Sequence, residues 1–138
     1  AIRSFGPTLF LEPKYLYNRK EAVSFKYDED FAISFGKGKV QRPGRDLSII
    51  TYGNTVHLAL MVAEELNSDY SIEVFDVRSI KPLDYDGIVA SVKRTGKALV
   101  LHEDHLFNGI RSEIVSVIME RAFMDLDAPV RRLAAKDI

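Results

Sequence analysis

Cysteine is absent from all 138 residues. That removes disulfide scaffolds, thiolate zinc sites and cysteine nucleophiles together, and it fits a reducing compartment. A charge excess is missing too, since nineteen basic residues stand against twenty acidic ones for a net charge of -1. Without a global field, neither nucleic acid nor an anionic membrane is an expected partner. Long apolar runs are also lacking: the best stretch is interrupted by Tyr52, Gly53, Asn54 and His57, too early for a transmembrane helix. The opening residues AIRSFGPTLF lack the charged-then-apolar pattern of a secretory signal. They lack an initiator Met as well, so the chain is expected to begin within a longer protein. Internal repeats and low-complexity tracts do not occur.

What is present centres on residues 46–66, DLSIITYGNTVHLALMVAEEL. Leu47, Ile49 and Ile50 form a short apolar run with the β-branched bias of a buried strand. Gly53 breaks it, and Asn54 and Thr55 offer side-chain oxygens where a helix needs an N-cap. Strong helix formers fill 56–66 without an internal Gly or Pro. Strand, hinge and helix together open a βα unit.

Residues 1–30 differ from the rest. Thr8 to Leu11 reads as a strand bracketed by Pro7 and Pro13. The following segment, 14–30, is polar and aromatic, unlike a free linker, and is expected to lie against a surface. The reading is the tail of a preceding domain plus a docked connector over 1–30, and one domain over 31–138. In the latter, the Gly- and Pro-marred segment 36–45 predicts a short edge ribbon. Apolar strands follow at 72–77, 98–101 and 130–133. Helices are predicted at 85–94, with Asp84 as cap and Gly96 as the C-terminal stop, and at 112–123. In the last helix Ile114, Val115, Ile118 and Ala122 make a core-facing stripe. Strands alternating with helices imply a three-layer α/β/α domain with a mostly parallel sheet.

The first helix carries six consecutive apolar residues over 58–63, LALMVA. One sheet face needs an apolar stripe little wider than a third of the circumference. The surplus at Leu58, Met61 and Val62 points to a subunit interface, or else to cover by a neighbouring helix.

Chemistry is harder to find. His57, within a helix, reads as a solvated or satisfied polar residue. His102-Glu103-Asp104-His105 follows a buried strand, where α/β sites gather. It has some letters of HExxH, but that motif needs both histidines at i, i+4 on one helix face. His102 or Glu103 could serve as a general acid or base, yet no partner is identifiable. Gly53 could present backbone N–H groups to an anion, but GNTVH lacks the spacing of a phosphate loop, and an ordinary βα turn is the better reading. No serine lies in a GxSxG elbow. No catalytic, cofactor-binding or metal-binding residue is therefore assigned.

Five segments in series carry a family resemblance: TYGNTVHLAL, FDVRSIKPLD, SVKRTGKALVLHED, NGIRSEI and LDAPVRRLAAKD. They resemble the C-terminal, transketolase C-terminal-like domain of the β subunit of the thiamine-diphosphate-dependent component of 2-oxo acid dehydrogenase complexes. The likeness covers about residues 31–138, and AIRSFGPTLFLEPKYLY resembles the end of the preceding pyrimidine-binding domain. The resemblance implies a five-stranded sheet whose first strand is an antiparallel edge strand. It implies an intact enzyme that decarboxylates a 2-oxo acid on thiamine diphosphate and Mg and passes the acyl group to a lipoyl arm. The glutamate that activates the cofactor, and the Gly-Asp-Gly motif that holds its metal, have no counterpart here, so this fragment is expected to bind no cofactor and to be inactive alone. Implied partners are an α subunit or α region, a second β subunit, and the subunit-binding domain of the dihydrolipoyl acyltransferase. The family's L-D-A-P motif places acyltransferase docking on Asp127; the alternative is that Asp127 only shapes the turn before Pro129. Where the family has Gly-Gly-Phe-Gly-Ala-Glu this chain has Asn108 to Glu113, so Arg111 is expected to add a surface charge. A cytoplasmic location, or the mitochondrial matrix in a eukaryote, goes with this reading. A transketolase or deoxyxylulose-phosphate synthase domain, or a stand-alone anion-binding module, are the alternatives.

Overall fold

The computed structural model describes residues 5–12, 14–18, 31–105 and 107–135. Five strands, β1 (Lys39–Arg42), β2 (Leu47–Thr51), β3 (Ile72–Asp76), β4 (Ala98–His105) and β5 (Arg131–Ala135), form one sheet in the order β1-β3-β2-β4-β5. β1 runs antiparallel to β3 at one edge, and every other pairing is parallel. Helix α1 (Asn54–Glu65) joins β2 to β3, α2 (Tyr85–Thr95) joins β3 to β4, and α3 (Ile110–Ala122) joins β4 to β5. The expected three-layer α/β/α architecture with an antiparallel first strand is the one observed.

Alternation along the inner strands divides the core in two. Ile49, Ile72, Val74 and Leu101 face α1 and pack with Ala59 and Ala63. Their neighbours Ile50, Phe75 and Val100 point the other way, onto Ile88 and Val92 of α2 and Ile114 and Ile118 of α3. Both faces are covered, which is why these strands read as continuous apolar runs rather than as alternating ones.

The local signals held in most places. Asp84 caps α2 by accepting from the Gly87 N–H at 3.1 Å, and Gly96 ends that helix in the left-handed conformation at φ 65. Three details differ. The N-cap of α1 is Gly53 at φ 63, and no side chain caps that helix. Thr55 Oγ1 instead donates to the Tyr52 carbonyl at 2.8 Å and Asn54 turns toward Glu103. Helix α3 starts two residues early, because Gly109 at φ 89 makes the break directly before Ile110. The strand expected from Thr8 to Leu11 is not formed: a strand needs a neighbour, and among the described residues none pairs with it, leaving Leu9, Phe10 and Leu11 exposed. A short 3-10 turn spans Lys14–Asn18, and the rest of the expected connector lies largely outside the described residues. Among the described residues no helix is long and apolar enough to cross a membrane.

Candidate functional site

Strand order reverses between β2 and β4, and their carboxyl ends bound the crevice where open α/β sheets usually bind ligands. Tyr52 and Asn54 reach it from the end of β2 and the start of α1. His102, Glu103 and Asp104 reach it from β4, and Asn108, Gly109 and Arg111 from the start of α3. β4 continues to His105, so the HEDH run lies inside the strand and its side chains alternate. His102 is buried, whereas Glu103, Asp104 and His105 are exposed.

Arg111 corrects the expectation of a surface charge: it is wholly buried. The first turn of α3 faces the end of β4, so a side chain at this phase of the helix has nowhere to go but inward. Its Nη1 lies 2.5 Å from His102 Nε2, and its Nη2 donates to the Asn108 carbonyl at 3.0 Å. His102 Nδ1 lies 3.5 Å from the Tyr52 hydroxyl. Burial, then the Arg111 charge, hold the His102 imidazole below its ordinary pKa, with Asp104 opposing them. Burial raises the Tyr52 phenol, helped by Asp104 and Glu103. Glu103 accepts from Asn54 Nδ2 at 3.3 Å, tying β4 to α1. The arrangement orders the crevice, and the Tyr52 hydroxyl beside His102 Nδ1 is made a weaker acid by burial rather than activated. Among the described residues no three His, Asp or Glu side chains are placed to hold a metal ion.

The residues singled out for contacts lie elsewhere. Leu58, Met61 and Val62 form the outer face of α1 and are 51%, 69% and 38% exposed, while Val56, Ala59 and Ala63 take the sheet side. Asp127 is also exposed. Its N–H donates to the Gly96 carbonyl at 2.7 Å and its carboxylate lies against Gly96, so its backbone shapes the turn while its side chain stays accessible. Ala128 and Pro129, next in the chain, help line an apolar cleft of about 330 Å³ with Leu47, Leu99 and Arg131. His57 is half-buried on α1.

A buried polar network around Glu73 carries no local signal in the sequence. Glu73, 1% exposed on β3, accepts two hydrogen bonds from Arg94 of α2 at 2.8 and 2.9 Å and a third from Ser91. Ser48 and Thr95 extend this chain of contacts at 2.8 Å, fixing α2 to the sheet. The network is structural and lies away from the crevice.

A sheet of this order with an antiparallel edge strand defines a known class. Residues 36–138 match the model of the transketolase C-terminal domain, and the chain belongs to that family. More particularly, it is 46% identical over 140 residues to the pyruvate dehydrogenase E1 component subunit beta of Bacillus subtilis (strain 168). It is 43% identical over 139 residues to the protein of that name from Staphylococcus aureus (strain Mu50 / ATCC 700699). Both alignments cover 99% of this chain but 42% of the relative, so the chain spans about two fifths of the length of these curated relatives. Among solved structures, a split gene transketolase described as an inactive beta4 tetramer superposes with a TM-score of 0.71 at 26% identity, covering 84% of this chain and 38% of that one.

Proposed function

We propose that the chain is the carboxyl-terminal part of the β subunit of a 2-oxo acid dehydrogenase of the pyruvate type, and that it serves assembly and docking rather than chemistry. The observation that carries this reading is the 46% identity sustained over 99% of the chain. In this reading residues 1–30 are the tail of a pyrimidine-binding domain, and α1 packs against a second β subunit within an assembly that includes α subunits. Asp127 and the neighbouring apolar cleft receive the subunit-binding domain of the acyltransferase, whose Arg or Lys side chains would pair with an exposed carboxylate. A cytoplasmic location belongs to the same reading.

Thiamine diphosphate and magnesium belong to the intact enzyme, where they supply the decarboxylation chemistry. The described residues do not fit that group. The crevice presents Glu103 and Asp104, which repel a diphosphate, and its cation, Arg111, is buried against His102. The likeness to a split gene transketolase favours a second reading, a transketolase domain, but at 26% identity rather than 46%.

The test is a charge reversal, Asp127→Lys, in the full β subunit assembled with α. Titration with the acyltransferase subunit-binding domain should show affinity falling tenfold or more, and unchanged affinity would refute the docking assignment. Calorimetry of the present chain with thiamine diphosphate and magnesium should give no binding heat; tight binding would overturn the non-catalytic reading.

A further inference from the structure

The imidazole–guanidinium pair at the end of β4 lies outside the residues proposed above for assembly and docking. Arg111 is 0% and His102 2% exposed. Among the described residues no carboxylate pairs with Arg111, and its Nε has no acceptor. A guanidinium stays protonated and can only donate. The 2.5 Å contact therefore fixes His102 as a neutral ring, with Nε2 accepting and the proton on Nδ1, toward Tyr52.

We propose that this pair is an acid-sensitive latch: a proton taken from water by His102 Nε2 displaces Arg111 and frees the first turn of α3, with the Asn108-Gly109 turn, from β4. The proton occupies the lone pair that Arg111 now uses, so the hydrogen bond and the imidazolium exclude each other. Each element packed there has its sign. Arg111 of α3 opposes the imidazolium, Asp104 of β4 favours it, and Tyr52 after β2 is neutral. Glu103 of β4 is engaged with Asn54 of α1. Burial and Arg111 outweigh Asp104, so closed His102 titrates below the ordinary imidazole value of about 6.5. Opening the latch restores that ordinary value. Closure is thus fully favoured above pH ~6.5 and weakens as pH falls toward the closed-state value, by about tenfold per pH unit in between. The consequence is a crevice that loosens on acidification while the sheet stays paired.

The experiment is NMR on the full chain, which has only three histidines. Long-range proton–nitrogen spectra should show His102 as the Nδ1–H tautomer, titrating below about 6.5. Amide exchange at 111–113, corrected for intrinsic rates, should accelerate about tenfold per pH unit below that value in the wild type. In His102→Gln, whose side-chain oxygen accepts from Arg111 but takes no proton, this acceleration should vanish. An Nε2–H tautomer, a titration at or above the ordinary value, or the same pH slope in the variant overturns the proposal. The wild-type spectra decide alone where the variant does not fold.

Discussion

Glu73 and Arg94 form one ion pair with unequal halves. The Glu73 side chain is 1% exposed and that of Arg94 47%, so removing either leaves a different remnant. Arg94→Ala leaves the Glu73 carboxyl in the core without its cation, and because Arg94 is half in water the cost should be about 3 kcal/mol, the low end for a buried pair. Glu73→Gln leaves a neutral group that still bonds Ser91, while Arg94 hydrates, so its cost should be about 1–2 kcal/mol. Urea unfolding of the two variants checks the order, and equal losses would contradict it. Nothing local in the sequence links these positions, because they meet only through the α2 crossover. Arg111 is different. It precedes Ile114, Ile118 and Ala122 by three, seven and eleven residues, and so lies on the buried stripe of its own helix. The spacing was visible, but the charge made it read as surface. Val117 is buried beside it, while Val115, expected in the stripe, is only half-buried.

Asp84 shows how one side chain can serve two elements. Its carboxylate accepts from Gly87 N–H at 3.1 Å, capping α2, and from Gly38 N–H at 2.8 Å, anchoring the approach to β1. Lys37 lies 3.9 Å away, but its side chain is 67% exposed, so screening leaves little energy there. Asp84→Ala should cost roughly 2 kcal/mol, the upper end for a cap, and Asp84→Asn less than half of it. Thermal unfolding reads the loss, and faster amide exchange at Gly38 would show that the β1 edge loosens with the helix. The cap was legible because its signal is local: Asp before a helical run, with Gly96 at the other end. Its second partner lies 46 residues away and gave no sign. The same distinction explains the strand missing from Thr8 to Leu11. Local propensity favoured it, but pairing is a tertiary property and no described strand lies beside it. It also explains why β4 extends to His105: β5 pairs with it there, His105 opposite Ala135, beyond the apolar run.

At the scale of the molecule, α1 turns an apolar face outward from the domain. Its six apolar residues in a row divide in the fold, with Ala59 and Ala63 turned to the sheet and Leu58, Met61 and Val62 turned to solvent. Offsets of three and four residues put those three on a single face, a second stripe left uncovered among the described residues. Fully burying a side chain such as Leu or Met contributes about 1.5–3 kcal/mol, and these two begin 51% and 69% exposed. If a second β subunit covers the stripe, Leu58→Lys with Met61→Lys should weaken β–β association by tenfold or more. Because neither side chain is needed by the core, unfolding stability should change by no more than about 0.5 kcal/mol each. Sedimentation velocity of the full β subunit assembled with α measures the association. Met124→Lys is the matched control, since Met124 is 91% exposed beyond the end of α3, off the α1 face. Loss of association in the double variant with retention in the control assigns the contact to α1. Equal association in all three proteins would leave α1 a solvent-facing helix and remove it from the assembly.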